Sequence, residues 1–132
     1  MTTDVQTALV EAARAVRLRA RAPYSRFLVG AAVRGESGAM YAGCNVESAA
    51  YPLTCCAERA AIYAAVAGGE TRITHCAVAT ETASSPCGGC RQVIFEMGPE
   101  CDVIVAGLTG QTRTVSIRAL LPEGFDGSEL PR

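Results

Sequence analysis

Two short stretches of the chain carry residue types and spacings that suit chemistry. Cys56-Ala57-Glu58 sets a thiol two residues before a carboxylate, and Pro86-Cys87-Gly88-Gly89-Cys90 adds a pair of thiols in C-x-x-C spacing. Three thiolates are a soft donor set that suits zinc. A zinc ion with four protein ligands is closed and structural, whereas one with three keeps a position for water, whose pKa falls from about 15.7 to near 7. Glu58 follows Cys56 closely enough to address such a water and to carry protons between it and a substrate. The chemistry implied is hydrolysis. Three thiolates also over-neutralise a divalent cation, which blunts its acidity unless positive charge lies close. Arg59 and Arg91, each next to a ligand in sequence, are the candidates, with surface ion pairing as their other role.

Other arrangements of the same residues stay open at this level. Spacing alone allows Cys55 as well as Cys56 to be the first ligand. Cys44 or Cys55 as a fourth sulfur would make the site purely structural, and the C-x-x-C pair by itself would suit thiol redox chemistry. The redox reading leaves Cys56-Ala57-Glu58 unexplained.

The remaining composition removes whole classes of function. The chain has 132 residues, 49% of them apolar, enough for one compact domain over residues 1–132 with a real core. A net charge of −1 argues against nucleic acid as a partner, which needs a basic surface. Arg14, Arg17, Arg19, Arg21 and Arg26 form a local basic run, read as a solvated helix face. All twelve basic residues are arginine, so Schiff-base lysine chemistry and a phosphate-loop lysine are absent. The single histidine, His75, lies in an apolar stretch and reads as a packed, hydrogen-bonded core residue. Seven cysteines behind no charged-then-apolar leader disfavour a disulfide scaffold and point to the cytoplasm. No apolar run is long enough for a membrane span.

The elements that must position these residues follow from periodicity and punctuation. A helix is expected over 3–20, capped by Thr3 or Asp4 and ended by Pro23. Two antiparallel strands, 27–33 and 40–46, flank a turn at 36–38. A second helix over 56–67 is closed by Gly68-Gly69, a strand follows at 73–80, and a third helix covers 90–97 before Gly98-Pro99. A buried strand at 103–108, an edge strand at 113–117, a short helix capped by Ser116 and an irregular tail holding Phe125 complete the chain. This alternation predicts an α/β fold, a three-layer αβα arrangement around a mixed sheet of about five strands. Helix N-termini at Cys56 and at the Cys87/Cys90 pair would favour thiolate over thiol, and right-handed crossovers would bring both ends to one face. Cys44, Cys76 and Cys101 read as small buried apolar side chains.

With these residues in place, the chain resembles the cytidine deaminase family in its small single-domain form, over residues 24–125. The order ligand-x-Glu followed by Pro-Cys-x-x-Cys is the pattern of zinc nucleobase deaminases, with Cys56 where histidine often stands. Pro23-Tyr24-Ser25-Arg26-Phe27-Leu28-Val29-Gly30-Ala31-Ala32 is similar to the family's first strand, and Gly43-Cys44-Asn45-Val46-Glu47 to its ribose-binding segment. Cys56-Ala57-Glu58-Arg59 and Ser85-Pro86-Cys87-Gly88-Gly89-Cys90-Arg91-Gln92-Val93 are similar to its metal site. The resemblance selects Cys56 over Cys55 and implies Zn2+ on Cys56, Cys87 and Cys90, with Glu58 as proton shuttle. It implies that Asn45 and Glu47 hold the sugar hydroxyls, that Ala57 contacts substrate, that Phe27 packs on the pyrimidine, and that Phe125 of a neighbouring subunit closes the pocket of a homotetramer. The activity implied is deamination of cytidine and 2'-deoxycytidine to the uridine nucleosides in pyrimidine salvage. Ser48 and Gly89 depart from the family's frequent asparagine and alanine.

Overall fold

The structure, a computed structural model, describes residues 3–131. Thr3 starts the first helix, α1 (Asp4–Arg17), through a reciprocal cap: its hydroxyl accepts from Gln6 N at 3.2 Å while the Gln6 side chain accepts from Thr3 N at 3.2 Å. The helix ends at Arg17, well before the expected terminator Pro23. Leu18, Arg19 and Ala20 donate instead to Ala15, Val16 and Arg17, the tighter bonding of a closing turn. Arg21 then forms a parallel bridge with Val46.

β1 (Gly30–Gly35) and β2 (Met40–Cys44) form the expected antiparallel hairpin, with Val33 opposite Tyr41. Both strands are shorter than predicted on the side away from the turn. There the Asn45 side chain replaces regular pairing, its Oδ1 accepting from Val29 N and its Nδ2 donating to Phe27 O, each at 2.9 Å. β3 (Ile73–Ala79), β4 (Asp102–Ala106) and β5 (Thr112–Ser116) complete a sheet of order β2-β1-β3-β4-β5, in which only β3 and β4 run parallel. The predicted mixed five-stranded sheet is therefore present.

Strand alternation divides the core into two layers. Ala31, Val33, Cys76, Val78, Val103 and Val105 face α2 (Ala57–Ala67), α3 (Gly88–Met97) and α4 (Ile117–Leu120). Ala32, Ala77, Ala79, Ile104 and Ala106 face α1 through Leu9, Val10 and Ala13. Alanines on this second face let α1 lie very close. A Cβ on Gly30 would collide with the Ala13 carbonyl oxygen.

The basic run is not merely a solvated helix face. Arg14 donates to Gly107 O at 2.8 Å, Arg17 to Leu28 O at 3.1 Å and Arg21 to Glu47 O at 2.6 Å, so three of its arginines tie loops to the core. Cys76 and Cys101 are buried as expected, whereas Cys44 is only half-buried. Half-buried His75 shares a 2.8 Å hydrogen bond with Thr74 Oγ1. No helix among the described residues is long and apolar enough to cross a membrane.

Glu70, just beyond α2, is buried against the hairpin and accepts from Ser37 N, Ser37 Oγ and Tyr41 OH. A Cβ on Gly35 would overlap its carboxyl group, so a larger residue there would displace Glu70 from these partners. These donors, Ser37 first, hold the Glu70 carboxyl below its ordinary value of 4.5.

Two outcomes follow for denaturant unfolding. Gly30→Ala is expected to lose about 2–3 kcal/mol because the clash is with backbone, while Gly127→Ala, with nothing within 4 Å of the added methyl, should stay within about 0.5 kcal/mol of the parent. A depressed carboxyl stabilises above its unfolded-state pKa and loses that effect as pH falls through the folded-state value. The melting-temperature deficit of Glu70→Gln should therefore be largest at neutral pH and shrink as the solution is taken below pH 4.5.

Candidate active site

The two cysteine segments lie where two helices begin. Cys56 is the N-cap of α2, its carbonyl accepting from Ala60 N at 3.0 Å. Cys87 is the N-cap of α3, its carbonyl accepting from Arg91 N at 2.9 Å, so this helix starts ahead of the predicted residue 90 and carries Cys90 in its first turn. Neither cap uses its side chain on the helix, which leaves both sulfurs free. α2 and α3 pack against the same face of the sheet, and their N-termini converge.

The Sγ atoms of Cys56, Cys87 and Cys90 lie within 4.8 Å of one another, with Cys56 and Cys87 3.9 Å apart. Zinc–sulfur bonds of about 2.3 Å at tetrahedral angles set sulfurs about 3.8 Å apart, so the three residues fit that ion. Among the described residues no fourth thiol, imidazole or carboxylate joins the group. Cys55 stands outside this group, its thiol directed to the Cys56 carbonyl at 3.6 Å.

Arg59 donates from Nη2 to Cys56 Sγ at 3.1 Å. The Cys90 thiol and then the Arg59 guanidinium pull Cys56 down to about 5 against the opposing effect of burial. The Cys90 thiol is pushed up, by the neighbouring Cys56 first and by burial second. Arg91 acts differently from expectation. It donates to Pro86 O at 2.8 Å, Leu120 O at 3.0 Å and Ser85 Oγ at 2.9 Å, fixing the loop that carries Cys87 rather than touching a sulfur.

Glu58, in the first turn of α2, is 4% exposed. Burial pushes its carboxyl up to about 7, with a smaller push from Cys56. A carboxyl group poised near neutrality is suited to both accept and donate protons.

Beside the sulfurs opens a cavity of about 310 Å³, lined by Phe27, Asn45, Glu47, Ala57 and Glu58 together with Cys56 and Cys87. The structure thus gathers most of the predicted substrate residues into one space. Phe125 is not among them: it is 51% exposed, and its carbonyl accepts from Gln92 Nε2 at 2.6 Å. Sequence reasoning missed the hydroxyl-bearing wall formed by Ser25, Thr54, Thr80 and Ser84. Small hydroxyl residues in turns carry no pattern that separates a cavity wall from ordinary loop, although Thr80 is 2% exposed and accepts from Ser84 N at 2.8 Å.

Residues 3–106 match the family model described as the cytidine and deoxycytidylate deaminase zinc-binding region. The chain is 41% identical over 130 residues to a cytidine deaminase of Sporosarcina psychrophila, covering 96% of this chain and 95% of that one. It is 38% identical over 130 residues to one of Halalkalibacterium halodurans, covering 96% and 98%. The fold superposes on the crystal structure of a cytidine deaminase from Burkholderia pseudomallei with a TM-score of 0.86 at 45% identity, covering 90% of this chain and 98% of that one.

If Arg91 orders the Cys87 loop, Arg91→Met should leave the fold intact but weaken zinc retention by about 10–100-fold, the usual effect of removing a group that orients a ligand. Competition with a coloured chelator measures this directly.

Proposed function

Because the chain belongs to the cytidine and deoxycytidylate deaminase family, we propose that Cys56, Cys87 and Cys90 hold its zinc ion, that Glu58 moves the protons, and that the adjoining cavity takes a cytosine nucleoside. The protein is a zinc-dependent hydrolytic deaminase, converting cytidine and 2'-deoxycytidine to uridine and 2'-deoxyuridine with release of ammonia, a step of pyrimidine salvage. The observation that carries the site assignment is a three-sulfur cluster whose Cys56 and Cys87 line one cavity together with a buried carboxyl group.

Bound zinc supplies Lewis acidity that makes water a nucleophile at neutral pH. The protein's own groups supply the rest. Phe27 offers an aromatic face to the pyrimidine, and Ala57 forms wall beside it. Asn45 and Glu47 hold the sugar, since an amide and a carboxylate together donate to and accept from hydroxyls. Glu58 takes a first proton from the incoming water and donates it to N3 as the water's oxygen adds at C4, then takes the water's second proton and passes it to the departing amine. One water is consumed and one ammonia leaves, so Glu58 ends each cycle as it began.

Phe125 reaches the cavity of a neighbouring copy in a homotetramer; its exposure, and its place outside the lining of this chain's own cavity, support that assignment. Self-association is also supported by Tyr63 and Val66, which α2 leaves exposed. The chain works as one domain in the cytoplasm, where reduced thiols stay available to the metal.

Glu58→Gln should fold and keep its zinc yet lose turnover by at least about 10²–10⁴-fold, while Cys87→Ala should lose zinc as well as activity. The decline of cytidine absorbance in the ultraviolet and metal analysis of each variant provide the two readings. Parental rates in Glu58→Gln would overturn the assignment of the proton shuttle.

A further inference from the structure

Glu47 is held by more than its place in the chain. Its Oε1 accepts from Tyr24 N at 3.0 Å and Ser25 N at 3.1 Å, and its Oε2 accepts from the Ser25 hydroxyl. The same hydroxyl accepts from Phe27 N at 3.0 Å. The direction of this chain is fixed, because an ionised carboxylate has no proton to give and a backbone N–H can only donate. Ser25 Oγ is therefore a relay between the backbone of Phe27 and the carboxylate of Glu47.

The local backbone makes the relay possible. Arg26, between the two residues, has φ of 59°, a left-handed conformation uncommon outside glycine. That turn folds Phe27 N back onto Ser25 Oγ. Strained positions of this kind persist where surrounding bonds over-determine them, and here Arg26 N also donates to Ala22 O at 2.9 Å.

We infer that Ser25 is a positioning residue for nucleoside binding, joining the aromatic face that receives the base and the carboxylate that receives the sugar into one preorganised unit. The inference rests on the reading that the cavity takes a cytosine nucleoside. A carboxylate has about four acceptor sites, and three donors from residues 24 and 25 occupy Glu47 so that the free one lies on Oε2, beside the Ser25 hydroxyl. The rotation of that hydroxyl thus sets where a substrate hydroxyl can dock. Rigid placement before binding lowers the entropic cost of association, which appears in affinity rather than in the chemical step. The same hydroxyl is the largest influence keeping the Glu47 carboxyl ionised below its ordinary value of 4.5.

The test compares Ser25→Ala, Ser25→Thr, Ser25→Cys, Glu47→Ala and the Ser25→Ala/Glu47→Ala double variant of the zinc-loaded protein, with kcat and KM for cytidine measured separately. Turnover by the parent protein tests the functional reading on its own; the ratios among variants test Ser25. Ser25→Ala should raise KM about tenfold, as loss of a hydrogen bond to a charged group does, with kcat changed less than about twofold. Ser25→Thr should restore KM to within about threefold, and Ser25→Cys, a weaker donor of similar size, should fall between them. In the Glu47→Ala background the additional Ser25→Ala substitution should add less than about threefold, because two groups acting through one another are not additive. An equal multiplicative effect in both backgrounds, a fall in kcat at unchanged KM, or a parental KM in Ser25→Cys would each overturn the inference.

Discussion

Everything in this site depends on two helices beginning at the same point. α2 and α3 come from separate stretches of chain, yet both cover the same face of the sheet, and the three sulfurs at their N-termini end within 4.8 Å of one another. Strand alternation enforces the arrangement: Ala31, Val33, Cys76, Val78, Val103 and Val105 give that face its apolar surface, and α1 takes the other. The free N–H groups and dipoles of two helix ends favour thiolate there. Arg59 adds a full positive charge against Cys56, which offsets the excess negative charge of three thiolates. Burial at the same helix start raises Glu58 toward neutrality, so the packing of α2 against the sheet places both the Cys56 sulfur and this carboxyl group.

The loops around this centre are held by side chains more than by ladder bonds. Arginine supplies much of the fastening, and a chain without lysine is well equipped for it, since a guanidinium can reach several carbonyls at once. Arg14, Arg17 and Arg21 tie Gly107, Leu28 and Glu47, while Arg91 gathers Pro86, Ser85 and Leu120 around the second ligand segment. Asn45 and Glu47 belong to the same scheme. Each lines the cavity and also anchors the 24–29 segment that carries Phe27, so the cavity wall and the loop architecture are properties of the same atoms.

The parts legible in the sequence were those with strong local signals. Alanine-rich runs ended by glycine, apolar strands and the paired cysteine spacings gave the sheet, the helices and the three cysteines whose sulfurs meet. Boundaries shifted for two reasons: long-range bonds from the Asn45 side chain cut both hairpin strands short, and tight local bonds to three carbonyls of the last helical turn closed α1 before Pro23 could. Arg91 looked like a charge beside the metal because sequence adjacency does not say where a long side chain points. The hydroxyl wall of Ser25, Thr54, Thr80 and Ser84 was invisible for a related reason, as its members meet only after the chain folds.

The central claim is a three-sulfur zinc centre with one position left for water. X-ray absorption at the zinc edge on the purified protein tests it most directly. The account predicts one zinc per chain with three sulfur neighbours and one oxygen or nitrogen neighbour, whereas four sulfurs, or protein purified with care and holding no zinc, would contradict it.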